Sequence, residues 1–109
     1  MPFQFSLVSG KEGQVLIPAV GVVAGVMRSW TLRREESGPL SGSWTLHASL
    51  SYAHEKLLKE PSLTKQVVVT FARDPETRKE KKYRVECTTL RLDDPNTLFG
   101  EGGTLWPVE

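Results

Sequence analysis

The chain has 109 residues, 25% of them charged and 39% hydrophobic, with a net charge of +1. This length fits one domain that buries roughly 65% of its unfolded surface in a single core. The near-neutral charge argues against a dedicated nucleic-acid binder, and one cysteine, Cys87, excludes a disulfide framework or a multi-cysteine zinc site.

Phe3, Phe5 and Leu7 alternate with Gln4, Ser6 and Val8, which predicts a short opening strand before the turn Gly10-Lys11-Glu12-Gly13. Residues 14–20 are apolar on both faces, and Pro18 lacks a backbone donor, so an edge strand or an irregular crossing is expected. Gly21 and Gly25 then permit a bend or bulge. The longest mostly apolar run, residues 15–27, is interrupted by Pro18, Gly21 and Gly25 and is too short to span a bilayer. The opening segment has no signal-peptide pattern. The expectation is a soluble chain, cytoplasmic or part of a virion, with no membrane partner.

Residues 22–53 form the organising stretch, two long strands around a polar turn. On the second arm Trp44, Leu46, Ala48, Leu50 and Tyr52 share one side, and Ser43, Thr45, His47, Ser49 and Ser51 share the other. A period of two marks a strand with one buried face. On the first arm Val22, Ala24, Val26, Trp30 and Leu32 share a face, with Arg28 among them, read first as a barrel-end arginine with a buried stem and otherwise as lying over an indole or contacting a partner at the rim. The connection 35–42 holds two glycines and a proline. Trp30 and Trp44 are expected as cross-strand or diagonal neighbours closing one end of the core.

After Tyr52 the period changes. Residues 53–60 are good helix formers, started by Ser51 and stopped by Pro61. A second hairpin follows, with Leu63, Val67, Val69 and Phe71 on one face, a turn at Asp74-Pro75-Glu76-Thr77, and Tyr83, Val85 and Cys87 on the return. Apolar parity then switches to Leu90 and Leu92, which predicts an extra residue, a bulge, near Thr88-Thr89. Residues 97–109 read as a tail, rich in glycine, that docks on its own domain or on a neighbour. The fold class is mainly β: a small antiparallel barrel or sandwich of five to six strands, with one short helix between two hairpins.

Chemistry for catalysis is sparse. His47 faces water, His54 begins the helix, and no metal-binding or phosphate-loop motif is present. No enzyme, cofactor or metal is expected. Residues 73–84 carry six bases (Arg73, Arg78, Lys79, Lys81, Lys82, Arg84) against three acids, whereas residues 85–109 carry one base against five acids. The basic hairpin beside Tyr83 suits either phosphate contact or protection of a sheet edge. Leu105, Trp106 and Val108 form an apolar anchor near the end of the chain. The element order suits an OB-type barrel and equally the barrel-with-helix modules of viral tails, both as fold-level analogy. The leading expectation is a non-enzymatic structural or interaction protein, a subunit of an assembly of its own copies or other subunits, such as a phage head or tail. The alternative is an OB-like module that binds single-stranded nucleic acid through the basic hairpin.

Overall fold

The structure, a computed structural model, describes residues 6–94 and 96–108. Its strands are β1 (Leu7–Gly10), β2 (Glu12–Ile17), β3 (Val22–Arg34), β4 (Trp44–Ala53), β5 (Gln66–Phe71), β6 (Lys81–Glu86), β7 (Thr89–Leu92) and β8 (Thr97–Pro107), with one helix, α1 (Glu55–Lys59), between β4 and β5. Six of them close an antiparallel barrel in the order β3-β2-β5-β6-β8-β4, with β4 returning to β3. β1 and β7 are extra: β1 continues the line of β2 along β3, and β7 continues the line of β6 along β8. The expected fold class is therefore found, as a six-stranded closed barrel. Closure removes the sheet edges that an open sandwich would expose.

The two hairpins read from the sequence are present. β3 and β4 pair from Gly25 opposite Ala53 to Arg34 opposite Trp44. β5 and β6 pair from Val67 opposite Val85 to Phe71 opposite Lys81. The barrel interior is filled by side chains, as expected at this strand number. Val15, Ile17, Leu32, Leu46, Leu50, Val67, Val69, Val85 and Leu98 are buried. The Trp30 ring stacks on Phe71 with centroids 5.2 Å apart, and Phe71 lies 4.5 Å from Tyr83. Trp30 Nε1 donates to the Glu12 carbonyl at 2.8 Å, so its one polar atom is satisfied.

Several local expectations are corrected. β2 is an interior strand between β3 and β5, because Pro18 falls one residue past its end and costs it no ladder bond. Trp30 lies opposite Ala48 and Trp44 opposite Arg34; both rings are buried, but they are neither cross-strand nor diagonal neighbours. Pairing slips around Met27, which buries Met27 and leaves Arg28 exposed; Arg34, not Arg28, holds its guanidinium over an indole, 5.8 Å from the Trp44 ring. The helix is capped by His54, whose Nδ1 accepts from the Leu57 N–H, because Ser51 is still in β4. Phe3 and Phe5 lie outside the described residues.

The parity switch has a different cause from the one expected. No residue is extra between β6–β7 and β8, since Glu86 faces Thr104 and Thr89 faces Glu101 in one register. The bulge sits in β8 against β4: Trp44 faces Gly103 and Leu46 faces Gly100, so Glu101 and Gly102 together oppose Thr45. Gly102 takes the left-handed conformation, φ 64°, that this bulge requires. Leu98 and Gly100 point inward before it, Gly103 and Leu105 after it. Residues 97–107 are thus no tail: they form the strand that pairs with β4, β6 and β7.

Candidate protein interface

The clearest unpartnered surface is the tip of the β2–β3 hairpin. Ile17 accepts from the N–H groups of Val20 and Gly21 at 3.2 and 2.9 Å, and Gly21 has φ 66°, which closes a four-residue turn. The neighbouring strands stop short of this turn. β5 begins at Gln66, opposite Leu16, and β4 ends at Ala53, opposite Gly25. The turn and the first two residues of β3 therefore lie beyond the last paired residues of β4 and β5, although Ile17 and Ala24 at their base are fully buried. All six residues 18–23 (Pro-Ala-Val-Gly-Val-Val) are exposed, with Val20 54% exposed and Val22 and Val23 39% each. Consecutive exposed apolar residues are costly in a soluble surface and mark contact sites. The sequence carried this signal as the uncharged run of residues 15–27 with Pro18, Gly21 and Gly25, but the run reads equally well as core.

The opposite end of β3 lines a cleft of about 770 Å³. Trp44, Gly103 and Leu105 line it, with Arg34, Glu36, Ser41 and Trp106 among the other lining residues. Trp44 and Leu105 are buried, whereas Trp106 is 46% exposed and Val108, two residues on, 41%. The alternation of β8 explains the difference: Leu105 faces Val85 inside the barrel, and Trp106 faces Arg84 outside it. Of the apolar anchor expected from the sequence, Leu105 belongs to this chain's own core, and Trp106 and Val108 are exposed.

The basic residues lie on and beside the β5–β6 loop, and Arg84 lines a groove with Pro18. Arg73, Arg78, Lys79 and Lys82 are exposed, and Lys81 and Arg84 are half-buried. Arg84 Nε is buried and meets Glu86 as an ion pair at 3.4 Å without a hydrogen bond. The loop is fixed by Asp74, which is fully buried. Its Oδ1 accepts from the Tyr83 hydroxyl at 2.7 Å, and its Oδ2 accepts from the Thr77 N–H and hydroxyl at 3.1 and 3.0 Å. Burial works to raise the Asp74 pKa, but the bonds from Tyr83 and Thr77 and the Lys81 charge outweigh it and hold the carboxyl below its usual range. Burial first, then the bond to Asp74, pushes the Tyr83 phenol up. Tyr83 is wholly inside, on the face it shares with Val85, and of the cations Lys81 lies over its ring, 5.5 Å from the centroid.

The remaining chemistry-bearing side chains have local roles. His47 faces out, edge-on to Phe99 at 6.4 Å, with the Arg91 guanidinium 4.5 Å from that ring. Cys87 is half-buried, and burial pushes its thiol up to about 11. Asp94 accepts from the Asn96 N–H and the Thr97 hydroxyl and so closes the β7–β8 turn. Among the described residues no group of three or more His, Cys, Asp or Glu is placed to hold a metal, and no helix is long and apolar enough to cross a membrane. No family model, curated protein or solved structure matches the chain.

Proposed function

We propose that this chain is a non-enzymatic interaction subunit of a larger assembly, of which a virion head or tail is one setting. The observation that carries the reading is the hairpin tip of residues 18–23, exposed throughout and uncharged. A two-stranded ribbon is marginal alone in water, and an apolar one gains most when a partner covers it. The test is Ala19→Asp with Val20→Asp, both in the turn and outside the strands. Exposed substitutions change stability by roughly 0.5 kcal/mol or less, so the melting temperature should stay within about 4 °C of wild type. A fall of more than about 10 °C would show that the tip belongs to the chain's own core, and the interaction reading would fail.

One observation favours a second reading, single-stranded nucleic-acid binding. Trp106 is exposed and lies opposite Arg84, with Lys82 two residues along the same strand. Such a surface pairs a stacking platform with cations. The six-stranded closed barrel differs from the five-stranded OB type. A labelled oligonucleotide that binds at low salt and loses orders of magnitude in affinity at physiological salt supports this reading, and no binding at low salt removes it.

A further inference from the structure

We infer that the β5–β6 end of the barrel holds a single-stranded nucleic acid in two parts, its phosphates on Lys82 and the unpaired cations of the loop and one base on Trp106. The inference rests on the second reading above and makes no use of the hairpin tip. The observation that carries it is how the cations are paired. Arg33, Arg34, Arg84 and Arg91 lie 3.6, 3.5, 3.4 and 2.7 Å from a carboxylate. Arg73, Arg78, Lys79 and Lys82 are exposed and make no ion pair among the described residues. Lys81 beside them is half-buried over the Tyr83 ring. Lys11 lines a groove of about 380 Å³ with Lys82, where Glu12 and Glu80 balance them. Arg28 and Lys56, also exposed and without an ion pair among the described residues, stand apart on β3 and α1.

Glu76 and Glu80 share the loop and weaken its field, yet residues 73–84 keep six bases against three acids in a chain of net charge +1. A cation already beside a carboxylate gives up that contact to meet a phosphate, whereas an unpaired exposed one does not. Arg34 and Arg84, beside Glu36 and Glu86, are therefore assigned no phosphate. The loop is also preorganised. The Asp74 N–H donates to the Lys79 carbonyl at 2.8 Å, and the Arg78 N–H donates to the Asp74 carbonyl at 2.7 Å. Arg78 is held between them in the left-handed region, at φ 62°. A backbone fixed in advance loses less entropy when a ligand binds.

Register places an aromatic beside these cations. Lys82 and Arg84 point out of β6, since Tyr83 and Val85 are the buried residues of that strand. Trp106 lies opposite Arg84, and the Val108 N–H donates to the Lys82 carbonyl at 3.0 Å. Lys82 and Trp106 are thus diagonal neighbours on the outer face, about 7–8 Å apart. Trp106 is 46% exposed and lines the cleft of about 770 Å³, which has room for a base. A base stacked there leaves its phosphate beside Lys82, and the strand continues toward Arg78 and Lys79 on the loop. An acidic peptide would meet the cations and leave Trp106 unused, so the pairing of aromatic with cations favours nucleic acid.

The experiment is fluorescence anisotropy of a labelled oligothymidylate over a salt series, with a thermal melt of each variant. Wild type should bind, with log K falling by about 2–3 per log unit of salt for about three to four phosphate contacts. Arg78→Gln with Lys79→Gln should flatten that slope by about 1.4 and Lys82→Gln by about 0.7, while Lys56→Gln leaves it unchanged. Trp106→Ala should weaken binding about fivefold or more at every salt concentration with the slope unchanged, and Trp106→Phe should keep most of the affinity. All of these side chains are exposed, so each variant should melt near wild type. If Trp106→Ala does not fold, quenching of wild-type tryptophan fluorescence by the oligonucleotide reports the same contact, because Trp30 and Trp44 are buried. Three results overturn the inference: a wild type that binds while the loop variants keep its slope, a Trp106 that neither matters nor is quenched, or a labelled polyglutamate that binds as tightly as the oligonucleotide. In the first two the second reading stands with its contacts elsewhere, and in the third the partner is an acidic protein segment. No binding of wild type at low salt removes the inference and the second reading together.

Discussion

Removing the Asp74 carboxylate should loosen the β5–β6 loop by an amount that depends on pH. The group is fully buried and accepts three hydrogen bonds, one from Tyr83 and two from Thr77. Hydrogen bonds to a charged group contribute about 1.5–3 kcal/mol each, and Asp74→Ala also leaves the Tyr83 hydroxyl and the Thr77 N–H without their acceptor. The expected cost is on the order of 3–5 kcal/mol, a fall in melting temperature of at least about 10 °C. Asp74→Asn keeps the shape and one acceptor and should cost roughly 1–3 kcal/mol. In the folded chain this carboxyl titrates below its ordinary value. Its contribution is thus fully present above the unfolded-state pKa and is lost as pH falls through the folded one. Urea unfolding at neutral pH and at successively lower pH, below about 4, should show wild type converging on Asp74→Asn. Tyr83→Phe removes the same hydroxyl bond, so a double-mutant cycle with Asp74→Asn should give a coupling of about 1 kcal/mol or more. A gap between wild type and Asp74→Asn that stays constant across this pH range, or a loss below about 1 kcal/mol for Asp74→Ala, would refute the reasoning.

The remaining predictions concern the core. Cys87, half-buried and with its thiol pushed up to about 11, should react slowly with a thiol reagent in the native state and rapidly after denaturation; fast native labelling would show that the β6–β7 junction is open. Gly10→Ala places a Cβ 2.4 Å from the Trp30 ring, which is held by its bond to the Glu12 carbonyl and by Phe71. The ring must shift, at a cost of about 1–3 kcal/mol in chemical unfolding; a change below about 0.5 kcal/mol would mean that Trp30 has room the structure does not show.

The sequence by itself determined the features whose physics is local. The alternation from Trp44 to Tyr52 is a property of neighbouring residues, and those positions are buried in β4 as far as Leu50, whereas Tyr52 is exposed. The stop at Pro61 and the turn chemistry at Asp94 also act within a few residues. Barrel closure is different, because it pairs β2 with β5, β6 with β8 and β4 with β8, strands separated by long stretches of chain. Residues 97–107 resembled a tail because glycine is a poor strand former. Gly100 and Gly103 are required there, since an added Cβ would lie 2.7 Å from Cys87 Sγ or 2.8 Å from the Trp44 carbonyl oxygen. That crowding exists only once three strands have met. The apolar runs show the same limit. Residues 15–17 and 20–23 are equally apolar in sequence, yet Val15 and Ile17 are core whereas Val20, Val22 and Val23 are exposed. The difference is which side chains the assembled core covers, and helix and loop residues such as Leu58 and Leu63 contribute to that cover as well as strands, so tertiary packing alone decided it.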